Sequence, residues 1–127
     1  MRVSATFHGG YAVTVDARGH ALAVDEPRES GGEDTGAMPT ELLAGALASC
    51  FALALAHVAR REGVELPGLR VDVEAERAGR ELRYGNLTVF AQADVSLEPF
   101  MTKAQRLCWV SNTFATPPEI EYRTEDP

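Results

Sequence analysis

Apolar and polar positions alternate over the first two dozen residues: Val3, Ala5 and Phe7, then Tyr11, Val13 and Val15, then Ala21 and Ala23. A period of two is the signature of strands with one face buried. Gly9-Gly10 and Ala17-Arg18-Gly19-His20 separate the runs with turn chemistry, so Arg2 to Val24 predicts a three-stranded meander. From Asp25 to Met38 the periodicity stops and Pro, Glu, Ser, Gly and Asp take over, which reads as a surface loop, functional or mobile at this length. Its Gly31-Gly32-Glu33-Asp34 run could offer backbone amides to a ligand, but the flanking acids repel phosphate, and a plain loop explains it as well.

Pro39 then opens a helix, where its missing N–H costs nothing, and Glu41 suits the positive end of the dipole. The helix is expected from about Thr40 to Arg61, ending at Gly63. Between Leu42 and Ala59 only Gly45, Ser49 and His57 interrupt an apolar sequence, so nearly every face should be buried. That length touches the lower limit for a membrane span. The alanine richness, His57 and the acidic first turn favour a buried helix with a partner helix beside it.

After Pro67-Gly68, the stretch Leu69 to Glu76 alternates again, and so do Leu87, Val89, Ala91, Ala93 and Val95 beyond Tyr84-Gly85-Asn86. These two runs predict a hairpin. Ser96 or Glu98-Pro99 begins a second helix, which carries Cys108 and continues to about Phe114 before Pro117-Pro118. A short strand from Glu119 to Arg123 is expected last, ahead of a charged tail.

Composition narrows the classes. With 127 residues and 45% hydrophobic content, a single domain spanning 1–127 with an ordinary core is expected. A formal net charge of −7 disfavours nucleic acid and anionic membrane as partners. The first ten residues contain no apolar run fit for a signal-peptide core, which points to the cytoplasm. In that compartment two cysteines are more often reduced, redox-active or simply buried than locked in a structural disulfide. Together with three scattered histidines they fall short of a zinc-site spacing, so no metal is expected.

Candidate chemistry therefore rests on Cys50 and Cys108. A reactive cysteine needs a cation, a helix N-terminus or hydrogen bonds to hold its thiolate. Cys50 lies about ten residues into its helix, beyond much help from that dipole. At about 100° per residue Glu41 falls on the opposite face, while Leu43 and His57 share the face of Cys50. His57 stands two turns away, roughly 10 Å along the axis, so contact requires a bend or a second chain. Arg18 is a candidate cation, as are Arg2 and Arg28, and spacing does not choose among them. Two readings stay open on the residues alone: a reactive pair, or two small apolar side chains in a core, with Cys108 beneath Trp109. Ser49, Ser111 and His57 raise a hydrolase, but no Gly-x-Ser-x-Gly elbow is present.

Three motifs carry a resemblance: Gly31-Gly32-Glu33-Asp34-Thr35-Gly36, Met38-Pro39-Thr40-Glu41-Leu42-Leu43-Ala44-Gly45-Ala46-Leu47-Ala48-Ser49-Cys50, and Cys108-Trp109-Val110-Ser111-Asn112-Thr113. With the order of elements they resemble the OsmC/Ohr family of osmotically inducible and organic hydroperoxide resistance proteins, in its OsmC-like branch. The resemblance implies an α+β fold in which two chains intertwine as a homodimer, two central helices packed against wrapping antiparallel sheets. It also implies a thiol peroxidase without metal or organic cofactor, with Cys50 as peroxidatic and Cys108 as resolving cysteine. Its partners would be a small organic or inorganic hydroperoxide and a dithiol reductant. Characterised members carry a glutamate directly after the proline, paired with an arginine. Here that position is Thr40, Glu41 follows one residue on, and Arg18 lies in the region that supplies the arginine. Trp109 stands where many members have proline. The alternative within the same family is a dimer with weak or no peroxidase activity, acting as a redox sensor or holding an apolar ligand.

Overall fold

The computed structural model describes residues 1–125 and 127, and the chain divides into two compact units, 1–45 and 46–127. In the first unit the alternating runs become β1 (Ser4–Gly9), β2 (Ala12–Ala17) and β3 (His20–Val24), an antiparallel sheet in the order β1-β2-β3. Ala5 pairs with Val15 and Phe7 with Val13, and Val13 in turn with Val24, which keeps one set of apolar side chains on one face. The expected meander is present with both of its turns.

The following loop is better fastened than its composition suggests. A 3-10 turn forms at Arg28–Ser30, and Val24 bridges to Ala37 beside a bond from Asp25 N–H to the Ala37 carbonyl at 3.2 Å. Asp25 is only 2% exposed, and its carboxylate accepts from Glu26 N–H at 2.8 Å, Thr35 Oγ1 at 2.6 Å, Thr35 N–H at 3.2 Å and Glu33 N–H at 3.3 Å. Gly36 is required by close approach: a Cβ there would collide with the backbone carbonyl of Ala23. The Gly31–Gly36 run is thus drawn around one buried acid.

The Thr35 hydroxyl, opposed by burial and joined by the Glu26, Thr35 and Glu33 amides, holds the Asp25 carboxyl below its ordinary value. A depressed carboxyl contributes stability that is complete above its unfolded value, about pH 4, and is lost as pH falls through the folded one. Asp25→Asn should lower the thermal midpoint at pH 7, because an amide nitrogen would face donors. It should also flatten the fall in stability below pH 4, a comparison that melting curves across the acid range make directly.

Helix α1 (Pro39–Arg61) begins in the first unit. Glu41 Oε1 accepts the Met38 N–H at 2.9 Å, the reach-back half of a capping box. Its other end closes at Gly63, φ +73, where Gly63 N–H reaches Arg60 O and Val64 N–H reaches Ala59 O, the two bonds of a Schellman motif.

The second unit is built on the remainder of α1, β4 (Arg70–Arg77), β5 (Tyr84–Gln92), α2 (Glu98–Leu107) and α3 (Trp109–Ala115). Strands β4 and β5 pair antiparallel, placing Val71 opposite Ala91, Val73 opposite Val89 and Ala75 opposite Leu87 on one face. Against that face lies a cluster of Leu47, Phe51, Ala54, Leu55, Val58 and Ala59 from α1 with Leu97, Phe100, Ala104 and Cys108.

Four expectations are corrected here. Strand β5 stops at Gln92 rather than running to Val95, because the Asp94 N–H turns away to the Pro67 carbonyl at 2.9 Å. The single second helix is two, α2 and α3, broken at Cys108, whose φ −80 and ψ 101 are extended. No strand forms over Glu119 to Arg123, where Ile120 (72% exposed) and Tyr122 (88%) have no ladder to join among the described residues. Finally, α1 is not buried all round: in one chain Ala46, Ser49, Leu53 and His57 form an exposed stripe. By length and composition alone α1 could cross a membrane, with a mean hydropathy of 2.0 in its most apolar window. Its inner face is nonetheless built into the cluster above.

Candidate active site

Both cysteines are free thiols, and the second unit brings them together. Helix α1 sets Cys50 beside the buried row of Leu47, Phe51 and Ala54, so its thiol stays partly exposed while packing on the cluster. Cys108 arrives from the other direction, at the break between α2 and α3, and is fully buried. Cys108 is a member of the buried cluster, and Cys50 packs against that same cluster.

The break at Cys108 is held by its neighbours. Asn112 N–H reaches the Cys108 carbonyl at 3.0 Å, while Asn112 Nδ2 donates to the Arg106 carbonyl at 3.1 Å, so one side chain ties the end of α2 to the start of α3. The Ser111 hydroxyl donates to the Cys108 carbonyl at 3.1 Å. Burial pushes the Cys108 thiol up, but hydrogen bonds from the Ser111 hydroxyl, the Ser111 N–H, the Cys50 thiol and the Val110 N–H outweigh it. The net result is a thiol below its ordinary range, and hence more thiolate at neutral pH than a free cysteine carries.

Other residues singled out in the sequence lie elsewhere. Arg18 belongs to the first unit, exposed in the turn between β2 and β3 with φ +57. Thr40 is exposed in the first turn of α1, and the carboxylate of Glu41 is engaged by the Met38 N–H. His57 is exposed and lines a groove of about 430 Å³ with Val58, Arg61, Glu62, Lys103, Arg106 and Leu107. There the Lys103 ammonium pairs with the Glu62 carboxylate at 2.7 Å, an exposed bridge of small energetic weight. Sequence reasoning missed the part played by Ser111 and Asn112 around Cys108. Their spacing, three and four residues past the cysteine, is the spacing of side chains that fold back on a helix start, and it was the available signal.

The sequence profile of the OsmC-like protein family matches residues 31–123, a span that takes in the Gly31–Gly36 run, α1 and both cysteines. The chain belongs to the OsmC-like family. Among solved structures, a Psychrobacter arcticus protein described as an osmotic stress induced and detoxification response protein shares the OsmC-like fold with a TM-score of 0.77 at 19% identity, over 87% of this chain and 85% of that one. An organic hydroperoxide resistance protein OsmC from Legionella pneumophila is 26% identical over 90% of this chain and 89% of its own, with a TM-score of 0.67. An organic hydroperoxide resistance protein from Elizabethkingia anophelis is 27% identical over 95% and 91%, with a TM-score of 0.61. Among curated proteins none matches the chain.

Proposed function

We propose that this OsmC-like protein is a thiol peroxidase that reduces small hydroperoxides with Cys50 and Cys108. The supporting observation is that the two free thiols, Cys50 partly exposed and Cys108 buried, belong to one packed cluster of the second unit. A peroxide can approach the partly exposed Cys50. Its thiolate attacks the terminal oxygen, the O–O bond breaks, and the products are a Cys50 sulfenic acid and, after protonation, an alcohol. The Cys108 thiolate then attacks the Cys50 sulfur and expels hydroxide, which leaves as water and closes a disulfide. A dithiol supplies the two electrons that reopen it. Both redox equivalents reside on sulfur, so the cycle draws on no metal or organic cofactor. Names given to relatives at 26% and 27% identity, organic hydroperoxide resistance proteins, agree with this substrate class.

We propose Arg18 as the candidate activating cation, and a working protein that is a cytoplasmic homodimer with one OsmC-like domain per chain. One observation favours the second reading, a dimer that senses peroxide or holds an apolar ligand: Glu41 is committed to capping its helix, and Thr40 offers no carboxylate. One experiment separates the two. Reduced protein mixed with one equivalent of cumene hydroperoxide should lose both of its two thiols within seconds to minutes. Cys50→Ser should leave the Cys108 thiol titratable. Retention of both thiols in the unsubstituted protein would exclude the peroxidase.

A further inference from the structure

We propose that the groove between the C-terminal turns of α1 and α2 binds a small organic phosphate, held by Arg61 and Arg106. The groove measures about 430 Å³ and lies wholly within the second unit, and neither cysteine lines it. Its charged lining is three cations, Arg61, Lys103 and Arg106, against the single acid Glu62. The chain as a whole runs the other way, with 12 Lys and Arg against 19 Asp and Glu. Glu62 is already engaged, since its carboxylate accepts from the Lys103 ammonium at 2.7 Å. Arg61 and Arg106 are exposed, and among the described residues neither guanidinium has an ion-pair or hydrogen-bond partner.

Helix ends account for part of this. Arg61 stands in the last turn of α1 and Arg106 in that of α2, where a cation offsets the helix dipole. Arg60 meets the same need at the end of α1, and it lies outside the groove. The dipoles thus explain a cation at each helix end, but not two unpaired guanidinium groups lining one concavity. A guanidinium presents its donors as a flat fork, which matches the paired oxygens of a phosphate. With Lys103 and Glu62 cancelling each other, the surplus is the two charges of Arg61 and Arg106. A phosphate monoester carries about −1.5 to −2 at neutral pH and meets that surplus, whereas a single carboxylate meets half of it.

The rest of the lining defines what else the ligand carries. Leu107 is 50% exposed, and with Val58 it gives the groove apolar surface. An aryl or alkyl group covers that surface, whereas inorganic phosphate leaves it in water. His57 adds a ring nitrogen able to hydrogen-bond the ligand. The volume falls in the range of small-molecule sites, about 300–1,000 Å³. His57 also belongs to the exposed stripe of α1, so the groove begins where that stripe ends. Binding here draws on no thiol, so it stands whether or not the cysteines reduce peroxide.

The test titrates the whole protein with phenyl phosphate at low salt and follows the amide resonances from Lys103 to Leu107. They should shift saturably with a dissociation constant of about 1 mM or below, the range open to a ligand of this size. Inorganic phosphate should bind several-fold more weakly, since it leaves Leu107 uncovered. Arg61→Gln and Arg106→Gln should each weaken phenyl phosphate about tenfold or more, the value of a hydrogen bond between charged groups. Arg106→Lys should recover only part of the loss, because it keeps the charge and gives up the fork. Arg60→Gln makes the same charge change outside the groove and should alter binding by less than about twofold. All three arginines are exposed, so the variants should fold, which circular dichroism checks. Absence of a saturable shift, or equal weakening by Arg60→Gln and Arg61→Gln, would overturn the proposal. So would a groove filled by a second copy, in which case Arg61→Gln and Arg106→Gln would loosen the dimer in sedimentation and phenyl phosphate would not bind.

Discussion

Leu55→Ala is expected to lower the unfolding free energy by about 3–4 kcal/mol, a large part of the stability of any small domain. Leu55 has no exposed surface, and it lies in the cluster where α1 meets α2 and the inner face of the β4–β5 hairpin. Phe51 and Val58 flank it on its own helix, and Phe100 and Ala104 belong to the same cluster from α2. Removing its branched end leaves a cavity that these elements cannot collapse into, since each is fixed by its own ladder or helix bonds. Leu55→Met, close in volume, should cost under about 1.5 kcal/mol. Urea titrations read both: the midpoint should fall for alanine while the slope stays constant, because the same surface is exposed on unfolding. The effect should also reach the thiols, because Cys108 is a member of the same cluster and Cys50 packs against it. A Leu55→Ala protein as stable as the original would mean that this cluster is not the core of the second unit.

The way this core was legible in advance differs from element to element. Period-two alternation and local turn chemistry are properties of neighbouring residues, so β1 to β3 and the β4–β5 hairpin could be read directly. The ends of α1 were legible for the same reason, since Pro39 and Gly63 act within one turn of themselves. What escaped depends on partners distant in sequence or on single bonds. The residues around Cys108 all tolerate a helix, and the break exists because the sulfur is drawn into the core while Asn112 bonds back to Arg106. Asp25 reads as one more loop acid, yet its carboxylate gathers donors from Glu33 and Thr35. Ile120 and Tyr122 alternate as a strand should, but a strand is made by a neighbour and not by its own pattern. The pairing of the cysteines came from resemblance. Periodicity placed neither sulfur, and the candidate site was read as two cysteines without Ser111 and Asn112, whose bonds to the Cys108 and Arg106 carbonyls shape the break between α2 and α3.

Leu53→Glu should leave each chain folded and abolish its association with a second copy. Leu53 is 71% exposed in one chain, so a carboxylate there disturbs no packing within it, and circular dichroism should be unchanged. The residue nevertheless sits in a helix whose composition calls for burial on every side, in the stripe of Ala46, Ser49, Leu53 and His57 that the chain's own elements leave open. Small side chains in that stripe permit close approach of a second helix. Members of this family are usually homodimers, and a second copy is the occupant that would complete the burial the sequence asks for. In a two-fold interface the same residue occurs on both sides, so the substitution buries two unpaired charges rather than one. Each costs several kcal/mol when nothing compensates it, and every 1.4 kcal/mol is tenfold, so the dissociation constant should rise by at least about a hundredfold. Sedimentation at micromolar concentration should show twice the chain mass for the unsubstituted protein and a single chain mass for Leu53→Glu, with Leu53→Ala in between. A Leu53→Glu protein that still sediments as a dimer would place the interface on another surface, and the exposed stripe of α1 would then need a different explanation.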